Sequence, residues 1–299
     1  MPGQPSRGTD LDDAAEVFLQ VRPRLFGIAY RMLGSASDAE DIVQDAWLRW
    51  QGADRSSVEE PRAFLATTTT RLAINFAQSA RVRRETYIGP WLPEPVDTSA
   101  DPTLGAERAE ALEFAVLLLM EKLPPAERAA YVLREAFDYP YPRIAEILEV
   151  GEANARQLVS RARKHLAAER PVGAVDPIEQ RRVLDAFVAA ARSGDVGRLE
   201  DVFAADVVSY SDGGGLARAS RIPVHGRTTV AKYYHAFANR FWVGVALRPI
   251  ELNGLPAISL VRDGAVLAVA TVTFTAQGID QVLWVMNPEK LTRVPLIAG

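Results

Sequence analysis

The chain has 299 residues, 48% hydrophobic and 24% charged, enough apolar material for more than one globular core and too much for a disordered chain. Its 34 Lys and Arg against 38 Asp and Glu leave a net charge of -4, which argues against a generic nucleic-acid coat but not against local basic patches. Cys is absent, which excludes disulfides and Cys-ligated zinc; no run reaches the about 18 apolar residues of a membrane span, and residues 1–13 lack the apolar centre of a signal peptide. These features lead to the expectation of a soluble, cytoplasmic protein with no membrane partner.

Residues 11–170 carry apolar positions at helical spacing. The stretch 88–101 interrupts them with Gly89, Pro90, Pro93 and Pro95, with Pro102 just beyond, and reads as a linker. Before it, Ser37-Asp38-Ala39-Glu40 fits a capping box with Ser37 as N-cap. The helix it opens places Ala39, Ile42, Val43, Ala46, Trp47 and Trp50 on one face, and Asp38, Asp41, Gln44, Asp45 and Arg49 on the other. Residues 35–60 hold seven acidic and two basic residues, whereas 61–84 hold five Arg (62, 71, 81, 83 and 84) and no acid. Two readings follow. Both faces can be merely solvated, or the acidic one meets a basic protein while the basic one, with Asn75, Gln78 and the Thr67 to Thr70 hydroxyls, meets phosphates and bases.

After the linker, Leu123-Pro124-Pro125-Ala126-Glu127-Arg128 opens a helix with Pro in its permitted place. A second helix spans 142–149, a turn takes 150–152, and a third helix spans 153–168. Ala155, Leu158, Val159, Ala162 and Leu166 form the buried stripe of the third; Arg156, Gln157, Ser160, Arg161, Arg163 and Lys164 lie outside it. This is helix-turn-helix spacing, and residues 151–170 have five basic and two acidic residues, though any three-helix unit with a basic surface would look similar. His165 reads as a surface or dipole-stabilising residue.

A second break, Pro171-Val172-Gly173 with Pro177, precedes a change of character. Helical segments at 178–192 and 196–203 lead to strand-like runs at 207–211, 243–252, 257–261, 265–275 and 279–286, with Asp263-Gly264 as a two-residue hairpin signal. Helices on one face of a curved antiparallel meander are expected. No repeat or low-complexity tract is present.

These residues resemble a known family. Leu25-Phe26-Gly27-Ile28-Ala29-Tyr30-Arg31-Met32-Leu33-Gly34, then Asp38-Ala39-Glu40-Asp41-Ile42-Val43-Gln44-Asp45-Ala46-Trp47, resembles region 2 of extracytoplasmic-function (ECF) sigma factors. Pro61-Arg62-Ala63-Phe64-Leu65 through Arg71-Leu72-Ala73-Ile74-Asn75 resembles their −10-reading helix, and 123–128 with 144–163 resembles region 4, which reads the −35 element. The rest is similar to SnoaL-like (NTF2-like) domains. A subgroup with that fusion carries three further motifs, matched here by Trp91-Leu92-Pro93-Glu94-Pro95, Asp212-Gly213-Gly214-Gly215 and Asn287-Pro288-Glu289-Lys290-Leu291, with Glu289 in place of Asp. In region 4, Glu149 stands where relatives often have Gly.

The resemblance implies a multidomain chain: an all-α region 2 domain at 11–87, a linker at 88–106, an all-α helix-turn-helix domain at 107–170 and an α+β cone-shaped SnoaL-like domain at 176–299. It implies a polymerase subunit without catalytic residues, metal or cofactor, whose partners are the core enzyme (β′ clamp and β flap) and promoter DNA. Core contact would fall on Asp38, Glu40, Asp41, Gln44, Asp45 and Trp47. The −10 contacts would fall on Arg62, Arg71, Asn75, Gln78, Arg81, Arg83 and Arg84, and an extruded base could sit in the 51–60 loop. The −35 contacts would fall on Asn154, Arg156, Gln157, Ser160, Arg161, Arg163 and Lys164. Trp91, Pro93, Asp212, Gly213, Gly214, Gly215, Asn287, Pro288, Lys290 and Leu291 would mediate regulation between domains, so that the C-terminal domain sets activity in cis. A small-molecule ligand in the SnoaL-like pocket stays open. So do two other readings: a ligand-sensing DNA-binding regulator that needs no polymerase, and a SnoaL-like cyclase or isomerase whose acid–base pair would come from Tyr210, Asp212, His225 and His235.

Overall fold

In the computed structural model, residues 7–98, 113–169 and 176–296 are described. Residues 99–112 and 170–175, which include the distal part of the expected linker and the second break, lie outside them, as do the side chains of Arg81 and Arg83. The chain divides into two compact units. Among the described residues, the first takes 7–82 and 119–168; the second takes 83–98, 113–118, 169 and 176–296.

The first unit is helical. Helix α1 (Arg7–Leu33) and α2 (Ala36–Gly52) meet at Gly34, whose φ of 65° turns the chain. The N-cap of α2 is Ser35 rather than the expected Ser37. Ser35 has extended backbone and accepts from Asp38 N at 3.1 Å, so the helix begins two residues before the sequence motif suggested. Ala39, Ile42, Val43, Ala46 and Trp50 are buried, and the Trp50 indole donates to Ala14 O at 3.1 Å. Helix α3 (Pro61–Glu85) follows. Its Thr67 and Thr70 hydroxyls donate to the carbonyls of Ala63 and Ala66 four residues back, and Thr69 and Thr70 are fully buried. The four Thr therefore do not form the phosphate-facing row expected of them.

Helix α4 (Phe114–Met120) follows; α5 (Pro125–Tyr131) runs into a π-helical turn at Val132–Ala136, then α6 (Tyr141–Leu148) and α7 (Glu152–Glu169). Arg128, from the Pro-Pro-Ala-Glu-Arg run, is buried, pairs with Glu121 and donates from Nε to Arg31 O at 2.9 Å. Burial lowers its pKa to about 9. Between α6 and α7 the chain turns at Glu149, in the left-handed region at φ 56°. An L side chain there costs about 1 kcal/mol, so this is a position that suits Gly.

The second unit is α+β. Helices α8 (Pro177–Ser193), α9 (Val196–Val202) and α10 (Arg227–Phe241) accompany a six-stranded sheet of order β2-β1-β6-β5-β4-β3. The strands are β1 (Phe203–Asp212), β2 (Val224–His225), β3 (Ala246–Leu252), β4 (Leu255–Arg262), β5 (Ala265–Thr275) and β6 (Gly278–Val285). Of the expected antiparallel meander, β3 to β6 is present, but the 207–211 run departs from it: it belongs to β1, which pairs with β6 in parallel, Ser211 with Trp284 and Asp212 with Val285. The Asp263-Gly264 hairpin is present, and Asn253-Gly254 forms a second; both pairs have φ above 50°. Pro249 is tolerated because β3 is an edge strand.

The sheet has two apolar faces. On one, Phe187 and Leu184 of α8 and Tyr234 of α10 pack with Val207, Val282 and Trp284. On the other, Ile250, Val269, Leu283 and Val285 pack with Leu92 and Phe114, which arrive from the segment that precedes and opens α4. The two alternating sets along β6 are what a strand buried on both sides requires.

Candidate functional site

In the first unit, α2 presents Asp41, Gln44 and Asp45 to solvent beside Leu48, which is 55% exposed. Asp38 and Glu40 are half-buried; Glu40 pairs with Arg22 at 2.5 Å. Trp47 is also half-buried and its ring lies 4.9 Å from Phe18. The outward part of the acidic face is thus narrower than the six residues named for it, with Asp38, Glu40 and Trp47 partly engaged in the helix pair itself.

On α3, Arg62, Asn75 and Gln78 are exposed, and Arg62 donates to Gln20 Oε1 at 3.0 Å. Arg71 is committed to α6: Nε donates to Ile147 O at 2.9 Å, Nη2 to Glu146 O at 3.1 Å, and Nη1 lies 3.0 Å from Glu149. A guanidinium at the last carbonyls of a helix is a C-terminal cap with favourable dipole sign.

Helix α7 exposes Asn154, Arg156, Gln157, Ser160, Arg161, Arg163 and Lys164 on one surface. Arg156 pairs with Glu152 and lies 4.4 Å over the Tyr141 ring; Arg163 pairs with Glu135 at 2.6 Å. These exposed pairs hold the cations in place at little energetic cost to exchange for phosphate. His165 is exposed, 3.3 Å from Glu127.

In the second unit the three short motifs come together around Asp212. This carboxylate at the end of β1 has no exposed surface. It accepts from Tyr87 Oη at 2.5 Å, from the Leu92 backbone N–H at 2.8 Å and from Lys290 Nζ at 2.7 Å. Its own carbonyl accepts from the N–H groups of Met286 and Asn287. Asn287 donates to Tyr87 Oη at 3.0 Å, and Lys290 also donates to Leu92 O. Trp91 lies under two cations, Arg84 at 3.6 Å and Lys290 at 4.2 Å. Pro93 is buried and Leu291 joins the same apolar face as Leu92, whereas Pro288 is exposed. Burial pushes the Tyr87 hydroxyl up, with Asp212 adding to it; burial brings Lys290 down to about 8, Asp212 opposing.

The Gly run fits this site by close approach. A Cβ on Gly214, at φ 59°, would stand 2.4 Å from Asn287 Nδ2 and 2.9 Å from Tyr87 Oη. Further along, Val96 O accepts from the Asn253 backbone N–H at 2.9 Å and the Val96 N–H donates to Asn253 Oδ1 at 3.2 Å, while Thr98 Oγ1 bridges Gly254 N and Glu251. The segment 84–98 is therefore fastened to the sheet at both ends. Tyr87, Asn253, Thr98 and Glu251 were not singled out in the sequence. Arg84 was, but as a −10 residue. Asn253-Gly254, a strong hairpin pair, was the signal that could have drawn attention to its Asn.

The acid–base candidates do not form a pair. Asp212 is taken up as described, His225 is exposed on β2, and His235 Nδ1 lies 2.6 Å from Gly194 O. None of the three, nor Tyr210, lines the aromatic cavity of this unit.

Comparison with known proteins agrees with this layout. The Sigma-70 region 2 family matches residues 17–83, and the Sigma-70 region 4 family matches 113–166. The chain is 37% identical over 294 residues to the ECF RNA polymerase sigma factor SigJ of Mycobacterium tuberculosis, covering 93% of each. It is 30% identical over 270 residues to the probable ECF RNA polymerase sigma factor SigI of the same species, covering 82% of this chain and 92% of that one. The crystal structure of M. tuberculosis SigJ superposes with a TM-score of 0.75 at 32% identity, covering 94% of this chain and 99% of that one.

Proposed function

The chain belongs to the extracytoplasmic-function sigma factors, and on that premise we propose that it directs core RNA polymerase to promoters with the residues described above while its SnoaL-like domain sets that activity from within the chain. The exposed Asp41, Gln44 and Asp45 of α2 dock on the basic clamp of the core enzyme, where charge complementarity fixes register and speeds encounter. Helix α3 meets the −10 element through Asn75, Gln78 and Arg62, and Arg71 joins them once it leaves α6. Helix α7 enters the major groove at the −35 element, with Arg156 and Gln157 nearest the base edges. The reaction belongs to the polymerase; this chain supplies recognition, and its work lies in the cytoplasm with the transcription machinery.

The observation that carries the regulatory part is the convergence of Trp91–Pro95, Asp212–Gly215 and Asn287–Leu291 at one buried carboxylate. Fastened there, residues 84–98 cannot act as a free tether, so the SnoaL-like domain limits the reach available between the two DNA-reading parts. The test is run-off transcription with purified core enzyme, comparing the full chain with Asp212→Asn. A severalfold change in transcript yield and promoter occupancy, with core affinity unchanged, is expected. Equal yield and occupancy would remove the regulatory claim. Loss of core binding in Asp41→Asn/Asp45→Asn tests the docking face separately.

A further inference from the structure

The cavity of the SnoaL-like unit lies on the sheet face opposite to residues 84–98, and none of its lining residues contacts that segment through the hydrogen bonds described above. It has a volume of about 240 Å³. Its walls are Tyr233, Tyr234, Phe237, Phe241, Trp242 and Trp284. We propose that it binds a planar aromatic carboxylate of one or two fused rings.

Size sets the first limit. An apolar cavity of about 150 Å³ accepts a benzene, so this one has room for a second ring and not for a large polycycle. The walls set the second. Their polar atoms are largely used internally: the Trp284 indole donates to Tyr234 Oη at 2.9 Å, Tyr234 Oη lies 2.7 Å from Ser209 Oγ, and the Trp242 indole donates to Ala191 O at 3.1 Å. The Tyr233 hydroxyl likewise bonds Ser211 and the Ser220 backbone, so most of what the rings turn to the space is carbon. Phe241 and Trp284 stand at 86°, Trp242 and Trp284 at 62°, and Tyr233 and Phe237 at 62°. Rings at such angles offer a flat guest both faces and edges, the arrangements that aromatic contacts favour.

Charge sets the third limit. A cage of aromatic rings by itself suits an organic cation. Here no Asp or Glu lines the cavity, and its one charged lining residue is Arg218. Arg218 is exposed and makes no ion pair with any described residue. An apolar slot with an uncommitted guanidinium repels a cation and takes an anion, bidentately if it is a carboxylate. Ser211 and Ser220 supply the remaining polar lining. The cavity has no acid–base pair, so the proposal is binding and not turnover.

The purified full chain is titrated with 2-naphthoate, 2-naphthylmethanol and 2-naphthylmethylammonium, with binding followed by calorimetry and by quenching of Trp242 and Trp284 emission. Naphthoate is expected to saturate and to bind about tenfold tighter than the alcohol, as the loss of one charge-assisted hydrogen-bond pair implies, with the ammonium weakest. Arg218→Gln, an exposed substitution, is expected to erase the preference for the acid while leaving the alcohol's affinity unchanged. Phe237→Asp, at a half-exposed wall position, is expected to weaken acid and alcohol alike. Absence of saturable naphthoate binding at millimolar concentration, equal affinity for acid and alcohol, or an unchanged preference in Arg218→Gln would each overturn the proposal.

Discussion

The Lys290 ammonium and the Asp212 carboxylate, 78 residues apart in the chain, meet at 2.7 Å with 11% and 0% of their side chains exposed. Neither charge is left to water. Asp212 is completed by Tyr87 and the Leu92 N–H, Lys290 by Leu92 O and the Trp91 ring. A buried ion pair whose partners all come from one passing segment is a fastening for that segment, and adds little to overall stability compared with an apolar equivalent.

Asp212→Asn leaves the ammonium buried without its counter-charge. Breaking a buried pair from one side costs about 3–5 kcal/mol. The double variant Asp212→Asn/Lys290→Met is expected to cost less than the sum of the singles. Urea midpoints of the four proteins and the rate of proteolysis within 84–98 report this; strict additivity would mean the pair is not a unit.

The pH dependence has a definite sign. Lys290 is lowered from 10.5 to about 8, first by burial, with Arg84 adding repulsion. Its folded value lies below its unfolded one, so between about 8 and 10.5 the unfolded chain holds more protons and stability rises with pH. Below about 8 the cost of burying the ammonium is present in full. Tyr87 acts in the other direction: its pKa is raised from 10.0, so its contribution is complete below that value and is lost above it. The stability of the native chain relative to Lys290→Met should therefore grow from pH 8 to pH 10. Denaturation series at fixed ionic strength check this, and a flat difference contradicts it.

Gly214→Ala should loosen residues 84–98 by displacing Asn287 and Tyr87, at about 1–3 kcal/mol. Gly264→Ala is the matched control, since its φ of 74° is similar but nothing lies within 4 Å. Hydrogen exchange at Tyr87–Val96 should accelerate in the first variant alone.

Glu149→Gly should stabilise the helix-turn-helix by about 0.5–1 kcal/mol, because Gly takes the left-handed turn without strain. The exposed contact with Arg71 that it loses contributes less than about 1 kcal/mol. Arg71→Ala loses the two α6 carbonyl bonds as well and should lower the thermal midpoint, which calorimetry can read.

Much of the fold was legible because it is local. Helical spacing located α2, α3, α6 and α7, and Asp263-Gly264 announced its hairpin. The parallel pairing of β1 with β6 was not legible, since it joins strands some seventy residues apart with no sequence signal of direction. Residues 88–98 illustrate the same limit. Their prolines read correctly as non-helical, yet proline content cannot distinguish a free tether from a segment whose Leu92, Pro93 and Thr98 are buried. Arg84 lies on the basic helix, and helical spacing gives its face but not the Trp91 ring that it covers.

One step along β1 has a mechanical consequence. Ser211 lines the aromatic cavity, and Asp212, the next residue, holds Tyr87, Leu92 and Lys290 on the reverse side. Their neighbours at the end of β6 and just past it alternate likewise, Trp284 and Met286 toward the cavity and Val285 away from it. The two faces share a single peptide linkage, so a tilt of the strand end that enlarges or narrows the chamber also moves the carboxylate behind it. Chamber and clasp are two sides of one lever.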